Sequence, residues 1–189
     1  MRDGFLIGRE VTRFLGQLAH ESERAAVVMG GALVDESLEA ALVKLLLPSK
    51  SKRDELFDPD QPIGSFRAKT RLAHRLGLVD DKFCSALDML RRIRNDFAHS
   101  SESKTLNDAE HSDRVRQLKS YADRTPIWET LVKAASTFVS SAVLVDFVTT
   151  IAVMVTILKY LECDLQPISL RSQASFIWST VGTDGIGTT

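Results

Sequence analysis

Residues 80–99 read DDKFCSALDMLRRIRNDFAH, and their periodicity decides the fold class. Phe83, Ala86, Leu87, Leu90, Ile93 and Phe97 recur at steps of three and four, which places them on one face of an α-helix. Asp80 precedes the first apolar position, as an N-cap should. Arg94 lies four residues after Leu90 and three before Phe97, so it falls on the apolar stripe rather than on the wet face. Desolvating an unpaired guanidinium costs several kcal/mol, which calls for a carboxylate, backbone carbonyls or a phosphate as partner. Asp35 and Glu36 are the candidate carboxylates.

Helical signals continue in both directions. Upstream, Gly77 suits a left-handed helix end, and Ser65 suits the cap of a short helix through FRAKTRLAHRL. Residues 48–64 carry three prolines and read as an exposed loop. Before them, residues 25–47 form a helix stopped by Pro48. Its first half is apolar nearly all round, and Gly30-Gly31 would let another backbone come close. Phe14, Leu15 and Leu18 give an earlier apolar face. Downstream, residues 100–105 break the pattern, residues 106–122 resume it on a charged face, and one long apolar segment runs from Trp128 to Leu161 after Pro126. Repeats, β-alternation and a Gly-rich phosphate loop are all missing from the sequence. The expectation is an all-α protein, a single helical bundle of about five to seven helices over residues 1–163. A Gly/Thr-rich tail, 164–189, has little to pack and is expected to be partly disordered.

Composition narrows the function classes. Lys and Arg number 24 against 25 Asp and Glu, a net charge of −1, so no global positive field exists to hold a phosphate backbone. Cys84 and Cys163 match no metal spacing and sit in apolar contexts, as small buried hydrophobes do, which implies a reducing, cytoplasmic setting. Arg9, Glu10 and Arg13 interrupt the start of the chain where a signal peptide would be apolar. Residues 134–158 are apolar, but Asp146 divides them into two runs short of the ~20 residues that span a bilayer. A core helix is expected there. Its apolar surplus predicts a second copy or another protein covering part of it.

Chemistry concentrates at residues 91–99. Asn95 and His99 are four apart and share a face bordering Arg91 and Arg92. Such a group suits metal-independent cleavage of RNA, with His99 taking the 2′-hydroxyl proton, Arg92 or Arg94 holding phosphorane charge and Asn95 orienting either. The competing reading is structural: His99 caps the last carbonyls and Arg94 is a buried pair. Arg94 and His99 are about 140° apart on an ideal helix, so joint action needs the helix to unwind or a second subunit to complete the site. Ser22 and Arg24 fit a helix start and an ion pair with Glu21 or Asp96. His20, Glu21, Glu23 and Asp35 lack the second spaced His of a metal site, so capping and surface charge explain them. His74 and His111 sit on charged helices and need no special role. The basic residues 50–53 read as a solvated loop. No metal or cofactor is expected.

The order HESERAAVVMGGALVDESLEAAL, then SFRAKTRLAHRLGLVDD and LDMLRRIRNDFAH, resembles the mannitol repressor (MltR) family over roughly residues 15–125. That family in turn resembles the wider HEPN superfamily of helical domains. The resemblance implies a HEPN-like bundle with no helix-turn-helix. It also implies a bacterial transcriptional regulator that acts through protein–protein interaction without intrinsic sequence-specific DNA binding. Many HEPN domains are instead metal-independent endoribonucleases, often dimeric, and Arg94, Asn95 and His99 match their signature of an Arg, a polar residue and a following His.

Overall fold

The computed structural model describes residues 2–50, 54–100 and 104–169. Among them are seven α-helices: α1 (Arg2–His20), α2 (Glu23–Leu45), α3 (Phe66–Arg75), α4 (Asp81–His99), α5 (Ala109–Lys119), α6 (Trp128–Ser136) and α7 (Ala142–Asp164). One 3-10 turn, Glu55–Phe57, lies in the α2–α3 loop, and the described residues contain no strand. The protein is an all-α bundle.

Short polar side chains set where the helices begin. Ser22, Ser65, Asp80 and Ser141 each accept a hydrogen bond from the backbone N–H three residues on, at 3.2, 3.1, 2.7 and 3.4 Å. Each satisfies one of the donors that a helix start leaves without an internal partner. Gly77 follows the end of α3 with φ +73°, the left-handed conformation that closes a helix at little cost without a Cβ.

The bundle is built round α7. It packs against α1, α2, α5 and α6, and Phe147, Val148, Thr149, Thr150 and Val153 on it are fully buried. This helix is long and apolar enough to cross a membrane, yet 67% of its most apolar window is buried by the rest of the chain, as in the core helix of a soluble bundle. Most of the apolar surplus is covered within one chain, while Ile157 and Tyr160 on α7 stay 38% and 47% exposed. Asp146 is held by Lys119 at 2.9 and 3.0 Å, and Lys119 also lies 5.5 Å from the Trp128 ring centroid.

The segment 128–161 is two helices rather than one. Residues 137–141, TFVSS, interrupt it, and Ser141 restarts the helix as a cap. β-branched residues and serines are weak helix formers, and the Ser141 hydroxyl offers the backbone a competing hydrogen bond. The expected tail begins where α7 ends. Residues 165–169 are described, and the Ile168 N–H donates to the Leu45 carbonyl at the end of α2 at 2.7 Å. Residues 170–189, for which disorder was expected, lie outside the described residues. Two further expectations need correction. Cys163 is exposed rather than buried, because it falls on the outer side of the last turn of α7. Cys84 is part-buried, and burial, then Asp88 and Asp81, raises its thiol pKa above the usual value.

The glycine pair of α2 receives side chains rather than a backbone. A Cβ on Gly30 would lie 3.3 Å from Ile151 Cγ1 of α7, and one on Gly31 would lie 2.8 Å from Arg94 Cγ of α4. Gly31→Ala is expected to destabilise the fold by about 1–3 kcal/mol, because the arginine stem must move. A Cβ on Gly16 of α1 meets nothing within 4 Å, and Gly16→Ala is expected to stabilise by up to ~1 kcal/mol. Urea unfolding of the two variants against the parent chain checks both signs.

Candidate functional site

The candidate site is the C-terminal half of α4, where it meets the start of α2. Arg94 lies on the stripe that sequence periodicity gives it, with its aliphatic stem over Gly31. Its guanidinium Nη1 donates to Asn95 Oδ1 at 3.2 Å. Neither Asp35 nor Glu36 forms an ion pair with it. Asp35 lies near enough for a minor electrostatic pull, and Glu36 is exposed. The long side chain lets the stem remain in the apolar layer while the head leaves it, so the full desolvation cost does not arise.

The carboxylate is taken by a residue that the sequence reading passed over. Lys69 of α3, with its side chain only 5% exposed, forms an ion pair with Asp35 and donates a hydrogen bond to Glu39 at 2.9 Å. Its place was legible. Lys69 and Thr70 lie between Phe66 and Ala73 at helical spacing, and all four are buried. Burial pushes the Asp35 carboxyl above its usual value; the Lys69 hydrogen bond and charge oppose the shift without cancelling it.

Other candidate residues act as fasteners. Arg24 pairs with neither Glu21 nor Asp96: its Nη2 donates to the Ala98 carbonyl at 3.4 Å, at the end of α4. Asp96 instead pairs with Arg114 of α5, which also holds Glu110. Glu23, in the first turn of α2, accepts from Thr105 Oγ1 at 2.7 Å and from the Leu106 N–H at 2.9 Å. The first turn of α2 thus holds both the end of α4 and the chain beyond it. Glu21 is exposed.

Arg92 and His99 are exposed, and Arg91 is bonded to Asp88 at 3.2 Å. Helix α4 stays regular through His99. The separation of about 140° between Arg94 and His99 therefore persists within one chain. Arg94 and Asn95 are brought together, and His99 is not brought to them.

The remaining histidines differ in surroundings. His20 meets the Phe138 ring edge-on at 5.6 Å, and His74 bonds Asp81 at 2.8 Å. His111, expected to need no special role on a charged helix, is a core residue. It is 4% exposed, its ring centroid is 5.0 Å from that of Phe97, and its Nδ1 has no hydrogen-bond partner. Among the described residues no three His, Cys, Asp or Glu side chains gather as a metal site. Of the basic loop 50–53, only Lys50 is described.

No protein-family model, curated protein or solved structure matches this chain.

The Lys69 cluster generates a sign-dependent prediction. Lys69→Ala is expected to cost ~3 kcal/mol, the low end for breaking a buried pair, since Glu39 is open to solvent. Asp35 has a folded-state pKa above its unfolded value, so the folded state binds its proton more tightly. Its contribution to stability is then greatest in acid and declines as pH rises from the unfolded value of 3.8 through the folded one. Urea unfolding of the parent chain and Asp35→Asn across that range is expected to show the parent losing ground to the variant as pH rises. A difference moving the other way would mean that Lys69 outweighs burial.

Proposed function

We propose that this protein is a regulatory interaction module, similar to mannitol-repressor proteins, which works by protein–protein contact in a reducing, cytoplasmic setting and does not itself read DNA sequence. One observation carries this reading. Arg94, the residue best suited to hold a phosphate, has its stem packed over Gly31 and its head bonded to Asn95, while His99 lies on another part of a continuous helix. The near balance of charge agrees with it, because a protein that neutralises several phosphates needs a basic face. The partner is a protein, a second copy included.

A second reading has its own support. His99 is exposed, and Arg24 donates to the carbonyl of the preceding residue, Ala98, so a guanidinium other than Arg94 lies at the same helix end. Two such helix ends facing each other in a dimer would form a HEPN-type endoribonuclease site, with Arg94 and Asn95 in support.

The deciding experiment incubates a labelled, structured RNA with the protein in EDTA, alongside His99→Ala, and records melting curves for both. The interaction module predicts no cleavage by either protein and nearly equal melting, since His99 is exposed. Cleavage to 2′,3′-cyclic phosphate ends by the parent chain, lost in a variant that melts normally, would replace it with the nuclease.

A further inference from the structure

Helix α3 carries charge of one sign only. Its sequence, FRAKTRLAHR, holds three arginines, a lysine and a histidine and no acid, in a chain whose net charge is −1. Lys69 is buried against Asp35 and Glu39, and His74 bonds Asp81. The arginines differ. Arg67, Arg71 and Arg75 are exposed, and among the described residues none of them forms an ion pair or a side-chain hydrogen bond, whereas Arg91, Arg114 and Arg116 all hold carboxylates.

Steps of four set these arginines about 6 Å apart along the helix and about 40° apart round it, a single row roughly 12 Å long. Beside them Ala68, Leu72 and the cap residue Leu76 repeat the same step one position later. Ala68 and Leu72 are half-buried and Leu76 is 39% exposed. By helical phase this apolar row lies between the arginines and Lys69, the side that meets α2. On the α4 side, Arg71 stands near Cys84, and Asp88 there is already bonded to Arg91.

We propose that the outer face of α3 is a docking surface for an acidic amphipathic helix of a partner protein. The inference rests on the interaction-module reading and names the chemistry of the partner: carboxylates at steps of four beside a row of leucine-like side chains. Two helices lying side by side share one rise per turn, so Glu residues a turn apart meet successive arginines, each offering a planar fork to a carboxylate. The apolar row favours a protein over a nucleic acid. A phosphate backbone has nothing apolar to set against Leu72 and Leu76, and Asp81, with its side chain 96% exposed near the end of the row, repels it. Exposed ion pairs are individually weak and screened by salt, and a face of this length falls short of the ~1,200 Å² of a stable interface. The complex is therefore transient and salt-sensitive.

The test titrates the full chain into a fluorescein-labelled helical peptide with Glu and Leu rows at steps of four, read by anisotropy, beside a peptide with Gln for each Glu. The parent chain is expected to prefer the Glu peptide by about tenfold, a preference that shrinks severalfold at about 0.5 M salt. Arg67→Gln/Arg71→Gln/Arg75→Gln is expected to remove that preference without lowering the melting temperature, while Arg124→Gln, on the exposed turn before α6, keeps it. Arg67→Glu/Arg71→Glu is expected to prefer a peptide with Lys for each Glu, a switch that a damaged fold would not produce. Equal binding of the Glu and Gln peptides by the parent chain, or a preference that survives the triple substitution, would overturn the proposal. So would a single-stranded RNA that binds the parent more tightly than the Glu peptide and is released by the triple variant, which would give the row to phosphate. Dimerisation in light scattering that the triple variant abolishes would give it to a second copy instead. Failure with the peptides leaves the regulatory reading in place, because that reading falls to His99-dependent cleavage of RNA, which peptide binding does not report.

Discussion

The close approach at Gly30 and Gly31 is the constraint on which the arrangement depends. Without Cβ atoms at these two adjacent positions, α2 receives Ile151 of α7 on one side and the stem of Arg94 of α4 on another. A glycine inside a helix costs about 0.5–1 kcal/mol relative to alanine, which a short contact with a branched aliphatic or a long stem offsets through packing. Helix α2 therefore joins the core helix to the helix that bears the candidate site. The same contact limits how far the Arg94 guanidinium can move, because its stem is seated over Gly31.

Most of the fold was legible from periodicity and punctuation. The stripe from Phe83 to Phe97, the caps Ser22, Ser65 and Asp80, and the left-handed Gly77 all follow from local rules, and the structure realises them locally. The 137–141 interruption was less legible, because TFVSS between two apolar helices is a weak breaker in the absence of Pro or Gly. The site was read in part. Helical phase places Arg94 on the stripe, but phase does not reveal that Gly31 would accept its stem or that Lys69 would take Asp35. The pairing of Asp96 with Arg114 and of Arg24 with a carbonyl depends on how α5 and α2 approach α4, which one-dimensional spacing does not encode.

Two kinds of polar group are buried, and they do different things. Lys69 with Asp35 and Glu39 is an ionic cluster that specifies how α3 docks on α2, at the cost of burying charge. His111 is a single imidazole set against Phe97, with one ring nitrogen lacking a partner. The first resists substitution of one partner alone. The second concerns one residue, and an apolar ring could replace it with the shape nearly preserved.

The near-parallel course of α2 and α7 bears on how the chain reaches this state. Gly30 faces Ile151 and Leu45 bonds Ile168, so the most extensive helix pairing in the bundle joins segments more than a hundred residues apart. On a ribosome, α1 to α6 would all emerge before the helix that covers their apolar faces. Local hairpins such as α3–α4 can form early, but the shared core closes only once α7 is free of the exit tunnel. Until then α2 carries exposed apolar surface on several sides. Slower translation through the 137–141 interruption would lengthen that exposure.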